Sequence, residues 1–173
     1  MCDIIGHMPE PKSAAPLTPH WMGRGERLPW SWALDRIEAE KNYWIVSVRT
    51  DGFPQARPVW GVWSEAGLLL SVGGGGLARA ERRSALPVTV HLDDAIDVVI
   101  IEGTIDRFAG PAELVTTAID EAARREAIPR YNEKYSWNFE PDTDMLNFVV
   151  RPHTVLGWHS TPTAVEGGTK WTF

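Results

Sequence analysis

Residues 43–72 read YWIVSVRTDGFPQARPVWGVWSEAGLLLSV. Three runs of β-branched, aromatic and other apolar residues lie in this stretch, a composition that favours strands. Asp51-Gly52, a strong hairpin signal, separates the first two runs, and a turn that ends at Gly67 separates the last two. The stretch therefore predicts a three-strand antiparallel meander. Pro58 in the second run predicts an edge position or a bulge, because proline cannot donate a backbone hydrogen bond.

The rest of the chain predicts further helices and strands within one domain. Ser31 is a candidate N-cap for a helix over residues 32–41, and Pro129 is expected to end a helix that begins near residue 112. The other expected elements are a short helix at 77–85 and strands at 88–92, 97–108, 145–151, 154–158 and 169–173. Glu102-Gly103 within the second of these strands is a candidate bulge. Together the elements predict an α+β barrel over residues 29–173. Residues 1–28 are rich in proline and are expected to form an extended arm.

Composition argues against several classes of function. The chain has 173 residues and a net charge of −6, which disfavours a nucleic-acid backbone as its main partner. Its single cysteine, Cys2, excludes an intrachain disulfide and a cysteine metal cluster, and the histidines show no metal-ligand spacing. No apolar run approaches the roughly 20 residues that span a bilayer. Because the first residues do not resemble a signal peptide either, a cytoplasmic protein is expected.

A glycine-rich segment follows the third run and precedes several arginines. Its glycines are Gly73, Gly74, Gly75 and Gly76, and the arginines are Arg79, Arg82 and Arg83. Backbone N–H groups in such a loop at a helix N-terminus can bind a phosphate. A glycine run without a flanking lysine is equally compatible with a flexible turn, so the residues alone leave both interpretations open.

The order of these elements resembles the pyridoxamine 5'-phosphate oxidase-like family. This is the FMN-binding split-barrel superfamily, which also includes deazaflavin (F420)-dependent reductases. The resemblance covers roughly residues 30–173 and depends on the order of several segments, which are residues 43–44 (YW), 51–54 (DGFP), 57–63 (RPVWGVW), 88–92 (VTVHL) and 169–173 (TKWTF). It implies an α+β fold, a split β-barrel of mostly antiparallel strands with flanking helices, that assembles as a homodimer.

In such proteins a flavin lies in each of two grooves at the dimer interface, so the resemblance implies FMN as the cofactor. By the same resemblance the cofactor-binding residues are Arg57, Pro58, Val59 and Trp60 in the second strand, Ser71 and Val72 with the glycine loop and Arg79 beyond the third strand, and Lys170 and Trp171 near the C-terminus. A bound flavin supplies the hydride chemistry, so no catalytic acid or nucleophile is expected from the protein.

One departure from the family pattern concerns the phosphate. Family members usually place a basic residue just after the third strand, and those positions are Leu77 and Ala78 in this chain. The resemblance implies an FMN-dependent oxidoreductase that acts on a small organic molecule. An F420-dependent reductase is the alternative, because the arginines after the glycine loop could bind the longer acidic tail of that cofactor. A non-enzymatic protein that binds a flavin or haem is the third possibility, and the apolar residues at positions 77 and 78 favour it.

Overall fold

Eight strands and two helices make up the part of the chain that the structure, a computed structural model, describes, namely residues 9–17, 25–49, 51–72, 85–107, 118–140 and 146–173. The strands are β1 (Ser13–Pro16), β2 (Tyr43–Val48), β3 (Pro54–Ser64), β4 (Gly67–Ser71), β5 (Leu86–His91), β6 (Asp97–Arg107), β7 (Phe148–Ser160) and β8 (Val165–Thr172). The helices are α1 (Trp30–Ala39) and α2 (Ala118–Tyr135).

The strands form one antiparallel sheet in the order β1-β8-β7-β4-β3-β2-β5-β6, and a further pairing of β6 with β7 closes six of them into a barrel. One edge of β7 pairs with β6 along its whole length. The other edge pairs with β4 through residues 148–150 and with β8 through residues 154–160. The barrel therefore splits where β7 passes from β4 to β8, and the predicted α+β split barrel is confirmed.

Apolar side chains fill the barrel interior, and α1 closes one end of it. Ile45, Val90 and Ile101 lie in one row across β2, β5 and β6 and are almost completely buried. Ile37 of α1 joins the same core, and the hydroxyl of Tyr43 donates a hydrogen bond to its carbonyl oxygen at 2.6 Å. This hydrogen bond ties the helix to the first residue of β2, so the meander and α1 form one packing unit.

Helix α2 packs on the outer face of β3, β4 and the first part of β7. Its Ile128 and Tyr131 are buried against Val62 of β3. The expectation that Pro129 ends this helix is wrong, because α2 continues six residues beyond it to Tyr135. An interior proline costs a helix about 3 kcal/mol. The two buried side chains that flank Pro129 compensate for this cost by burial in the second core.

The three-strand meander predicted from residues 43–72 is confirmed as β2, β3 and β4. Pro58 lies in the half of β3 that pairs with β2 but, among the described residues, not with β4, whose pairing begins at Trp60. The edge position predicted for this proline is therefore confirmed. The predicted helix at 77–85 and the start of the one at 112 lie outside the described residues.

Three local expectations need correction. Residues 145–151 and 154–158 do not form two strands, because β7 runs continuously through Pro152, which stands opposite Gly103 of β6. Ser31 does not cap α1, since Pro29 occupies the N-cap and no side chain caps the helix. Within the expected N-terminal arm, β1 pairs with β8 along four residues. Neither described helix has the length and apolar character needed to cross a membrane.

Candidate functional site

A groove of about 500 Å³ lies on the outer face of the barrel, where β2, β5, β6 and β7 run side by side. One cross-strand row crosses this groove. Val46 pairs with Thr89, Thr89 with Glu102, and Glu102 with Thr154. The other residues that line the groove are Ser47, Val48, Pro87, Val88, Gly103 and His153. The groove thus combines hydroxyl groups and a carboxylate with apolar walls.

A bulge in the pairing of β6 with β7 shapes the groove beside Glu102 and Gly103. The register between β6 and β7 shifts between Glu102 and Gly103, where the sequence predicts a bulge, and the extra residue is His153 of β7. The side chain of Glu102 is exposed and has no hydrogen-bond or ion-pair partner among the described residues. Glu102 is the one acidic residue in the described lining of the groove, which contains no lysine or arginine and one histidine, His153. An anionic group would therefore be repelled from this part of the groove.

A short polar chain leads from the groove to Arg57 at the end of the barrel. Ser47 lines the groove, and its hydroxyl accepts a hydrogen bond from the amide nitrogen of Gln55 at 3.3 Å. The amide oxygen of Gln55 in turn accepts one from Arg57 at 2.9 Å. Arg57 has no carboxylate partner in the described part of the chain. No carboxylate of the described residues therefore offsets its positive charge, and two successive hydrogen bonds connect it to Ser47 of the groove.

The alternation of β3 separates the four residues that the resemblance places beside the cofactor. Val59 points into the barrel and is part of its core. Arg57 shares that side of the strand, while Pro58 and Trp60 lie on the outer side. Only Arg57 of this group connects to the groove through hydrogen bonds.

The two predicted residues near the C-terminus also point to opposite sides of the sheet. Trp171 is 1% exposed and packs inside the barrel against Trp30, with ring centroids 5.6 Å apart. Lys170 is exposed on the outer face. A continuous cross-strand row links it to Pro58 through five strand-to-strand steps, or about 24 Å along the sheet. Trp171 thus shares the barrel core with Val59, whereas no strand pairing among the described residues makes Lys170 a neighbour of the predicted second-strand residues.

Ser71 and Val72 lie at the end of β4, and Ser71 stands opposite Trp60 of β3. The amide and carbonyl groups of Val72 both bond to the side chain of Asn147. The remaining predicted phosphate-binding residues, Gly73, Gly74, Gly75, Gly76 and Arg79, lie outside the described residues and stay predictions.

Aromatic side chains form a second surface feature where α2 ends. Trp60 stacks on Tyr135 with ring centroids 4.9 Å apart, and Trp137 stacks on Phe139 at 5.2 Å. Trp60 and Trp137 remain 40% and 48% exposed. The hydroxyl of Tyr135 accepts a hydrogen bond from the backbone N–H of Gly61 at 3.0 Å. This cluster anchors the end of α2 to β3.

Lys134 lies beside this aromatic cluster and has an unusual environment. It donates a hydrogen bond to the hydroxyl of Tyr43 at 2.7 Å, and its ammonium lies 4.9 Å from the centre of that ring. Burial lowers the pKa of Lys134 to about 8, although the carboxylates of Glu40 and Glu38 partly oppose the change. Burial likewise raises the pKa of Tyr43 well above its ordinary value. Lys134 therefore donates to the Tyr43 hydroxyl, which in turn donates to the carbonyl oxygen of Ile37, so the three residues form one chain of hydrogen bonds.

A third polar group lies at the barrel end that α1 closes. Arg36 donates to Asp97 at 2.9 Å through its Nε, and His159 bonds to the other oxygen of that carboxylate. Burial would raise the pKa of Asp97, but the hydrogen bonds from His159 and Arg36 outweigh it and hold the pKa below the ordinary value of 3.8. The guanidinium of Arg36 also stacks on Trp32, 3.9 Å from the ring centre. The group therefore fastens α1 to β6 and β7.

The sequence did not single out Thr89, Glu102 and Thr154 as site residues. The sequence signal available was the alternation of apolar and polar residues along β5 and β6, which places Thr89 and Glu102 on the outer face of the sheet. In the described part of the chain, no group of acidic, histidine or cysteine side chains could hold a metal ion.

Comparison with known proteins finds similarity in structure alone. No protein-family model and no curated protein matches the sequence. One solved structure, 17% identical, aligns over 86% of this chain and 95% of its own with a TM-score of 0.54. An F420 reductase, 18% identical, aligns over 70% of this chain and 93% of its own with a TM-score of 0.46.

A third solved structure is an FMN-binding protein related to pyridoxamine 5'-phosphate oxidase from Nostoc punctiforme PCC 73102. It is 11% identical and aligns over 84% of this chain and 97% of its own with a TM-score of 0.44. At such identities the likeness concerns the fold alone. The chain has the split-barrel fold that the resemblance predicted.

Proposed function

We propose that this chain is an FMN-dependent oxidoreductase that acts, as a homodimer, on a small organic molecule. The observation that carries the proposal is the outer groove of the split barrel, to which hydrogen bonds through Gln55 and Ser47 connect the guanidinium of Arg57. The resemblance in residues 30–173 supplies the class of cofactor, and the groove and Arg57 supply a place for its two chemically different ends.

The described residues fit a phosphorylated flavin. The groove volume of about 500 Å³ lies within the range of small-molecule sites. Val46 and Val48 offer apolar surface to a flat ring, and the hydroxyls of Thr89 and Thr154 can bond to polar groups on the same ligand. Arg57 offers donors for a phosphate, which guanidinium groups bind in a charge-assisted way.

The chemistry divides between ligand and protein. A bound flavin supplies hydride transfer, and the protein residues bind it, orient it and exclude water. Arg57 would hold the charged end, held in its own position by the amide oxygen of Gln55. The row from Val46 to Thr154 would orient the uncharged part. Lys134 and the aromatic cluster lie on the α2 side of β3 and are not required for this role.

The purified protein tests this proposal directly. We expect flavin absorbance bands in the isolated protein, or saturable binding when FMN is added, and reduction of that flavin by an external electron donor. Titration with F420 in place of FMN separates the deazaflavin alternative. A colourless protein with no measurable affinity for either would contradict the proposal. Stable binding that no donor can reduce would favour a non-enzymatic flavin carrier instead.

A further inference from the structure

The register shift between β6 and β7 turns two successive residues of β7 toward the groove. Along a regular strand, neighbouring side chains point to opposite faces of the sheet. His153 and Thr154 instead both line the groove. His153 is the extra residue, which has no partner of its own on β6. Bulges re-aim side chains in this way beside active sites. The irregularity therefore gives the groove an imidazole that regular pairing would not place beside Thr154.

The imidazole of His153 is free to contact a ligand. The side chain is exposed, and neither ring nitrogen has a hydrogen-bond or ion-pair partner among the described residues. The other two described histidines already bond to the protein. A ring nitrogen of His91 bonds to the carbonyl oxygen of Leu92 at 2.8 Å, and His159 bonds to Asp97. Of these three histidines, only His153 lines the groove.

The other polar groups in the described lining of the groove do not exchange a proton as readily near neutral pH. Imidazole is the only side chain that ordinarily does so between about pH 5 and 8. Ser47, Thr89 and Thr154 offer hydroxyl groups, which keep their protons in this range, and Glu102 offers a carboxylate. Glu102 is also the only other titratable group in that lining. His153 is therefore the one ready source of a proton there.

The proposed reaction needs such a proton. A bound flavin supplies a hydride, which brings one hydrogen and two electrons to one atom of a double bond in the substrate. As the π bond breaks, its electron pair collects on the other atom, and that atom takes up a proton. The substrate is thereby reduced and the flavin oxidised, an external electron donor reduces the flavin again, and water returns a proton to the group that gave it.

We propose that His153 donates this proton, so that the substrate is a small molecule reduced at a carbonyl group or at a conjugated double bond. The proposal rests on the proposed function and adds to it a catalytic residue and a class of substrate. An acceptor that takes up electrons without protons would make no use of His153.

Two electron acceptors test this role by stopped-flow absorbance of the reduced, protein-bound flavin. Menadione is a quinone and takes up protons with its electrons, whereas ferricyanide takes up electrons alone. His153→Ala should slow reoxidation by menadione at least about tenfold, less than the usual contribution of a general acid because water also supplies protons. Reoxidation by ferricyanide should stay unchanged. Added imidazole should restore part of the rate with menadione, which it would not do for a structural role.

Binding gives a readout that does not depend on turnover. The imidazole NMR signal that is missing in His153→Ala should move when riboflavin is added to the flavin-free wild-type protein. The signal of His159, at the barrel end that α1 closes, is the internal control and should stay in place.

Several results would overturn the proposal while leaving the proposed function intact. They are a menadione rate unchanged in His153→Ala, an equal loss with both acceptors, no recovery with imidazole, and a His153 signal that bound riboflavin does not move. A wild-type flavoprotein that ferricyanide but not menadione reoxidises would overturn it as well. A protein that binds no flavin contradicts the proposed function itself, and the role of His153 falls with it.

Discussion

Gly103 approaches Arg151 so closely that a β-carbon on the glycine would lie 2.0 Å from the carbonyl oxygen of Arg151. The register of β6 against β7 shifts at this approach. Backbone atoms cannot move aside as the end of a flexible side chain can. The groove on the outer face is therefore built on a position that only glycine can occupy.

Gly103→Ala should consequently destabilise the protein by about 2–3 kcal/mol, the upper range for an inserted methyl group in a packed structure. Urea unfolding at neutral pH measures this difference. Thr104→Ala, the next residue on the same strand, is the control and should cost much less. An alanine variant at 103 with wild-type stability would mean that the two strands do not approach as described.

Protonation of Asp97 in acid should lower the free energy of unfolding. Its pKa is lowered by the hydrogen bonds from His159 and Arg36, so its contribution is fully present above pH 3.8 and is lost as pH falls through the lower folded value. We expect Asp97→Asn to cost about 1–2 kcal/mol at pH 7 and progressively less below pH 4. Urea unfolding across this range gives the comparison.

Asp35→Asn, at an exposed position on α1, is the matched control for this acid series. It should show neither the loss at pH 7 nor the convergence in acid. A cost of Asp97→Asn that stays constant from pH 7 to pH 3 would show that the carboxylate charge is not what fastens α1 to the barrel.

Lys134 predicts a further gain in stability with rising pH, in the alkaline range. Its pKa is lowered to about 8 by burial, so between pH 8 and the ordinary value of 10.5 the unfolded chain binds more protons at this residue than the folded one. The free energy of unfolding should therefore gain from this group as pH rises through that window, by up to about 1.4 kcal/mol per pH unit. Lys134→Met should lose this gain.

Comparison of wild type with Lys134→Met at pH 7, 8, 9 and 10 isolates the effect. Lys41→Met, an exposed lysine near the same helix packing site, is the control and should follow wild type. At pH 7 the methionine variant should be at least as stable as wild type, because it removes a buried charge. Parallel curves for the wild type and Lys134→Met would contradict the lowered pKa.

The sequence predicted the fold well where local signals and packing agree. Asp51-Gly52 and the flanking apolar runs defined β2 and β3, and Glu102-Gly103 indicated where the register of β6 against β7 shifts. The prediction at Pro129 was wrong because a local rule ignored the buried side chains on both sides of the proline. The split of β7 between β4 and β8 has no local signal, since it depends on which strands become neighbours.

The candidate site was harder to predict than the fold. Arg57 was expected to bind the cofactor, and the structure connects it to the groove through Gln55 and Ser47. Thr89, Glu102 and Thr154 come from three separate strands, so only their pairing makes them a row. No spacing within one segment could have indicated it. Cofactor binding by the expected residues stays a prediction.

The central claim is that Arg57 holds the phosphate of a flavin whose uncharged part lies in the groove. Titration calorimetry with FMN and with riboflavin, which lacks the phosphate, tests it in the wild type and in Arg57→Ala, with the exposed Arg125→Ala as control. Wild type and control should bind FMN at least about tenfold more tightly than riboflavin, the value of a charge-assisted hydrogen bond. In Arg57→Ala this preference should disappear while riboflavin affinity stays unchanged. An undiminished preference for FMN in Arg57→Ala would contradict the account.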